Sequence, residues 1–309
     1  MMGTDFPAGY LPPDAGASAF SRLGTLLSDA DLTFGNLEGP LCDGGATTKC
    51  GEGENCYAFR TPTAYGKWLK EAGFDLGSTA NNHAEDFGTS CRLETERTLD
   101  ALGIAWSGRP GTVATVERDG LRIGLIGFHT NPNSHYVNDL ASASTLVAAV
   151  ARTHDLVVVS FHGGAEGRSA THVPAGKEVF LGEDRGDLRK FARTVVAAGA
   201  DLVLGHGPHV PRGLEVIDGR LVAYSLGNFS TYGRFNLSGD LATSLVLEAT
   251  LDATGAWTGG RILPVRQVGE GIPEPDPTGR AIALMSELTL ADFPDTGPRI
   301  AADGTLTPR

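Results

Sequence analysis

Four stretches of this chain share one plan. DADLTFGNLEG, GFDLGSTANNH, THDLVVVSFHGG and GADLVLGHGPH each open a short apolar run on Asp-Leu and close it on a polar cluster. Short runs of Val, Leu, Ile and Phe read as strands buried on both faces, and strands that alternate with helical segments build α/β sheets. Counted from the Asp of each pair, Glu38, Asn82 and His162 fall seven residues on and His206 five. Strands of like length entered from like helices bring such side chains to one edge. In open α/β sheets the carboxyl edge is where sites are built.

The same plan bounds the fold. Helical apolar spacing recurs in SAFSRLGTLLSD, PTAYGKWLKEAG, SCRLETERTLDALG, ASTLVAAVARTH and RGDLRKFARTVVAAGA, with strand runs LTFGN, LRIGLIGF, LVVVSF, LVLG and LVAYSL between them. SLVLEATLDATGAWTGGRILPVR alternates as an antiparallel strand pair does. The fold class is therefore α/β, with a mixed rather than purely parallel sheet. Residues 1–268 read as one domain. Residues 269–309, where Pro and Gly become frequent, read as an extension packing on it or trailing from it, the last stretch a surface tail.

A net charge of −12 with no basic cluster argues against a nucleic-acid partner. No apolar run reaches the length of a membrane span, and the opening residues carry no signal-peptide pattern. Cys42, Cys50 and Cys56 crowd a Gly-rich loop, and Cys91 follows. Their even count and loop setting point to one or two disulfides and an oxidising compartment. Paired CxxC spacing for zinc is absent, and free thiols are the remaining alternative.

Glu38, Asn82, His162, His206 and His209 offer mixed oxygen and nitrogen donors, a set that suits Mn, Fe, Zn or Ni better than Ca. A carboxylate can bridge two ions, and ions about 3.5–4 Å apart clamp the attacking and departing oxygens of a displacement. His83, beside Asn82, is the candidate acid for the leaving group, with Asp86 three residues on to fix its tautomer. Glu166, four residues past His162, is a candidate to hold a ligand in place. Each residue alone has an ordinary explanation: a Gly-Pro turn at His206 and His209, an Asn-rich turn at Asn82, a loop acid at Glu38. Matched positions at four strand ends favour the metal reading. His129, His135, His154 and His172 are read as hydrogen-bonded histidines without a metal role.

DLTFGNLEGP, STANNHAEDFG, SFHGGAE, GADLVLGHGPHV and YSLGNF also occur in an order that resembles the CapA-like bacterial capsule-synthesis proteins. That family is linked to poly-γ-glutamate capsules and is itself similar to calcineurin-like metallophosphoesterases; the resemblance runs from about Gly3 to Phe229. It implies a four-layer α/β/β/α sandwich with two mixed β-sheets and a site for up to two divalent ions. Carried over by motif, Glu38 bridges, Asn82, His162 and His206 hold one ion, His209 holds the other, and His83 faces substrate. Asn36, Arg60, Glu166 and Asn228 would stand around the ligands or the substrate. Family members open with a strand ending in Gly-Asp, and MMGTDFP resembles its tail. A usual ligand Asp would then lie just upstream of Met1, with Asp5 the nearest stand-in.

The implied activity is a metal-dependent hydrolase using a metal-activated water on a phosphoester or a peptide/amide-type substrate such as polyglutamate, in the cell envelope. A metal-dependent peptide epimerase and a non-catalytic polymer-binding component of capsule assembly are the alternatives.

Overall fold

A computed structural model of the chain describes residues 1–47, 49, 50 and 57–309, and it gives the Asp of the Asp-Leu pairs a mechanical role. Asp201 Oδ2 accepts from Val157 N at 2.8 Å, Asp155 Oδ2 from Arg122 N at 2.7 Å, and Asp75 Oδ2 from Thr33 N at 3.0 Å. The carboxylate at the foot of one strand thus holds the foot of its neighbour. Strands that start level and match in length end level, which is how the polar clusters reach a common edge.

β1 (Phe34–Asn36), β2 (Leu76–Ser78) and β3 (Ala105–Ser107) form a parallel sheet in that order. The largest sheet draws on β4 (Ala114–Arg118), β5 (Leu121–His129), β6 (His135–Tyr136) and β7 (Leu156–His162). After a separate hairpin of β8 (Glu178–Phe180) and β9 (Glu183–Gly186), it continues with β10 (Leu202–His206), β11 (Leu214–Ile217) and β12 (Arg220–Ala223). Its order is β11-β12-β10-β7-β5-β4, with β6 added to β5; β4 and β11 are antiparallel to their neighbours and the rest are parallel. The expected antiparallel pair is β13 (Thr243–Leu251) and β14 (Trp257–Val268), joined by β15 (Ile272–Pro275), β16 (Arg299–Ile300) and β17 (Thr305–Thr307) in an antiparallel sheet.

Alternation along β7 shows the layering. Val157 and Val159 pack with Val147 of α3 (Leu140–Ala151) and with Phe191 and Val195 of α4 (Leu188–Ala197), helices that follow α1 (Gly66–Ala72) and α2 (Gly88–Leu102) in the chain. Leu156 and Val158 turn the other way, onto Leu76, Leu245 and Ile262 of the other two sheets. Leu69 of α1 and Leu99 of α2 cover the far side with Val265. Each such fully buried side chain contributes about 1.5–3 kcal/mol. The order of layers is α/β/β/α, its second β layer divided between the three-stranded and five-stranded sheets. The open edges of β1 and β13 border a mostly apolar cavity of about 660 Å³ that reaches Glu38, His206 and His209.

Two sequence expectations give way. SAFSRLGTLLSD is a chain of turns rather than a helix, with Gly24 at φ +57° interrupting it, although Ala19, Leu23 and Leu27 are buried as the spacing requires. The last residues are not a surface tail. α5 (Arg280–Asp292) buries Ala281 and Met285 between sheets, and β17 pairs with β14 while burying Leu306. One apolar residue between two threonines was too short a signal for a strand held by tertiary pairing.

Candidate metal centre

Parallel pairing sets three imidazoles in a row. His129, His162 and His206 are register partners at the ends of β5, β7 and β10, all on the face that meets the other β layer. Opposite them, the chain leaves β1 through Leu37 to Glu38, and leaves β2 through Thr79 and Ala80 to Asn81, Asn82 and His83. The GHGPH turn then returns His209 to the same point. Gly207 is required there, because a Cβ would lie 2.5 Å from Gly163 O. His209 itself is held at φ +62°, a left-handed conformation that costs a non-glycine residue about 1–3 kcal/mol.

Glu38 Oε1 is the focus. It stands 3.7 Å from His209 Nε2 and 3.9 Å from the Nε2 atoms of His162 and His83. These separations are too long for hydrogen bonds. Two donors each about 2.1 Å from a shared ion, however, lie up to about 4.2 Å apart. Four of the donors expected from sequence each present a buried atom with no hydrogen-bond partner: Glu38 Oε1, Asn82 Oδ1, His162 Nε2 and His206 Nδ1. Leaving each unsatisfied costs about 1–3 kcal/mol. Among the described residues no three His, Cys, Asp or Glu side chains already close into a metal-holding group. Glu38 with His162 and Glu38 with His209 are each spaced for a shared divalent ion, and the set as a whole stands open.

Electrostatics favour the ligating forms. Burial pushes His162 well below the ordinary histidine range and His206 down to about 4, so both rings are neutral at neutral pH, the state that binds metal. Burial alone would raise Glu38, but His209, His83, the terminal ammonium and Arg185 outweigh it and hold the carboxyl below its usual value. His209 Nδ1 lies 2.8 Å from Asn228 Oδ1, whose amide nitrogen faces Leu241 O at 3.4 Å. Nδ1 is therefore the donor, and the Nε2 lone pair is left for Glu38's side.

His83 Nδ1 lies 2.7 Å from Asp86 Oδ2, which also accepts from Phe59 N at 2.8 Å. Lys49, which the sequence reading missed, places Nζ 2.7 Å from Asp86 Oδ1, 3.1 Å from His83 Nδ1 and 3.2 Å from Asn82 O. Phe59 meets the His83 ring edge-on at 4.6 Å, and Phe235 stacks on Phe59 while lying 5.5 Å from the His209 ring. These aromatics cover the two histidines.

The remaining expected residues divide. Asn36 Nδ2 stands 3.4 Å from His162 Nδ1, and Glu166 bonds Arg185 at 2.8 Å with its other oxygen 3.9 Å from His209 Nε2. Arg60 instead pairs with Asp5 at 2.7 Å and lies over the Phe87 ring. Asp5 is thereby engaged by a guanidinium rather than by the imidazoles. Cys42 and Cys91 form a disulfide and Cys50 is disulfide-bonded too, whereas Cys56 lies outside the described residues.

His135, His154 and His172 have hydrogen-bonding partners, as expected. His129 does not: it is 3 % exposed and neither ring nitrogen has a partner. Burial lowers it to about 3. A histidine whose folded value is depressed stabilises the fold above its unfolded value and loses that contribution as pH falls. Metal-free protein is therefore expected to lose about 4 kcal/mol from this residue as pH drops from about 6.5 toward 3. Urea midpoints across that range, compared with His129→Gln, check it; equal slopes in the two proteins would refute it.

The family model for "Bacterial capsule synthesis protein PGA_cap" matches residues 8–232. The chain belongs to this family. It is 26 % identical over 229 residues to "PGA biosynthesis protein CapA" of Bacillus subtilis (strain 168), covering 69 % of this chain and 56 % of that one. "Capsule biosynthesis protein CapA" of Bacillus anthracis is 26 % identical over 230 residues, covering 68 % and 53 %. The chain thus spans just over half the length of these relatives. A solved structure of a hypothetical protein from Thermus thermophilus aligns with TM-score 0.45 at 17 % identity, covering 85 % of this chain and 92 % of that one. Among the described residues no helix is long and apolar enough to cross a membrane.

Proposed function

We propose that this member of the capsule-synthesis family is a metal-dependent hydrolase of the cell envelope, acting on a phosphoester or an amide linkage of a polymer such as polyglutamate. The observation that carries the reading is the set of four buried, unpartnered donor atoms grouped with His209 around the Glu38 carboxylate. Glu38, Asn82, His162, His206 and His209 would hold up to two divalent ions, with Mn, Fe and Zn suited to these donors. Bound there, such ions supply Lewis-acid charge and a water of lowered pKa.

The chain's own groups do the rest. His83, oriented through Nδ1 by Asp86, keeps Nε2 on the Glu38 side, where it can deliver a proton to the leaving oxygen or nitrogen. Asp86 stabilises the ring while it is protonated, and Lys49 holds the second Asp86 oxygen in place. Phe59 and Phe235 exclude water from the imidazole faces. The disulfide fits an oxidising compartment, and the relatives' names supply the capsule and PGA setting.

The test is metal content by ICP-MS on protein purified without chelator, beside a His162→Ala/His206→Ala variant. Close to two transition-metal ions per chain, lost in the variant, is the expected result. No uptake after reconstitution with Mn, Fe or Zn would overturn the reading.

A further inference from the structure

His129 is the residue that neither the family motifs nor the proposed chemistry uses. Its position is nonetheless that of a ligand. It ends β5 as His162 ends β7 and His206 ends β10, in register with both. The alternation that turns Leu125 and Val158 to the inner face turns His129 and His162 there as well. The two rings stand 5.4 Å apart, centroid to centroid, at 65°. A ligating ring's centroid lies about 3.2 Å from its ion, given a bond of about 2.1 Å, so two rings sharing one ion stand about 4.5–5.5 Å apart. The observed spacing is within that range. Both nitrogens of this buried ring lack a protein partner, whereas the other histidines outside the motifs have one.

We propose that His129 is an additional imidazole ligand, sharing with His162 the ion otherwise held by Asn82, His206 and Glu38. The inference rests on the metal-centre reading above. It makes that ion's environment richer in nitrogen than the motif residues alone provide, a composition that favours Zn, Fe or Ni over Mg or Ca.

The experiment uses the full chain stripped with chelator and titrated with Co²⁺, read by calorimetry and by the visible Co²⁺ spectrum. His129→Ala and His129→Gln are compared with wild type and with His172→Ala, a surface histidine paired with Asp292. Both His129 variants should bind one ion at least tenfold more weakly, with a shifted Co²⁺ band, while the His172 variant matches wild type. Circular dichroism checks that the variants fold. Should they not, ¹⁵N-histidine spectra of the wild-type chain carry the test: on Zn²⁺ binding His129 should shift together with His162, His206 and His209. Wild-type affinity and spectrum in the folded His129 variants, or an unshifted His129 resonance, would overturn the inference while leaving the metal centre intact. A wild-type chain that takes up no ion would instead defeat the metal-centre reading itself.

Discussion

Replacing His83 with Ala is expected to leave bound metal in place and to slow hydrolysis by about 10²–10⁴-fold. The two readouts separate because His83 differs from its neighbours in how it is satisfied. Glu38, Asn82, His162 and His206 each present a buried atom without a partner. His83 has its Nδ1 fixed by Asp86 at 2.7 Å, and its Nε2 looks across at Glu38 from 3.9 Å. An imidazole anchored on one side by a carboxylate is arranged to move protons at its other nitrogen. Losing it would remove the proposed proton donor but none of the unpartnered atoms that would hold the ions. Turnover of a chromogenic aryl phosphate, measured beside ICP-MS on the same preparation, tests the split. Equal loss of metal and activity would make His83 a ligand, and unchanged turnover would remove it from the chemistry.

How much of this was readable in the chain depends on which residues carried local pattern. The Asp-Leu openings were visible, and so was the common edge they imply. Their mechanism was not, since Asp201 reaching Val157 N or Asp75 reaching Thr33 N is a contact across more than forty positions. Glu38, Asn82 and His162 were legible because each lies seven residues past the Asp of an Asp-Leu opening, and His206 and His209 because they close the run that Asp201-Leu202 opens. His129 also ends an apolar run, LRIGLIGFH, but no Asp-Leu pair opens that strand, so the pattern alone gives it only the reading of a core histidine. Lys49 sits in a Gly- and Thr-rich loop with no periodicity, and only the folded chain brings it to Asp86. The N-terminal segment shows the opposite failure. Its apolar spacing was right about burial and wrong about helix, because backbone conformation at Gly24 is independent of which side chains face the core.

The Cys42–Cys91 disulfide explains how two site loops without regular structure keep their places. Cys42 lies four residues past Glu38, and Cys91 lies five past Asp86 in the first turns of α2. The bond therefore joins the loop that presents the central carboxylate to the one that presents His83 and Asp86. Both sulfurs are buried beside Ala58 and Phe87, so the link is packed as well as covalent. Its sequence separation of 49 residues gives a loop-closure contribution of about 4 kcal/mol. A Cys42→Ala/Cys91→Ala variant is accordingly expected to lose about 2–5 kcal/mol in urea unfolding. The double variant is the cleaner probe, because a reductant would also attack the disulfide at Cys50. It should also bind metal more weakly than wild type under conditions where both are folded, since the loops that would bring Glu38 and Asn82 to an ion are no longer tied together. An unfolding midpoint equal to wild type would show that packing alone orders these loops. A lower midpoint with unchanged metal affinity would confine the bond's role to stability, because the donors would then be held by the strands that deliver them.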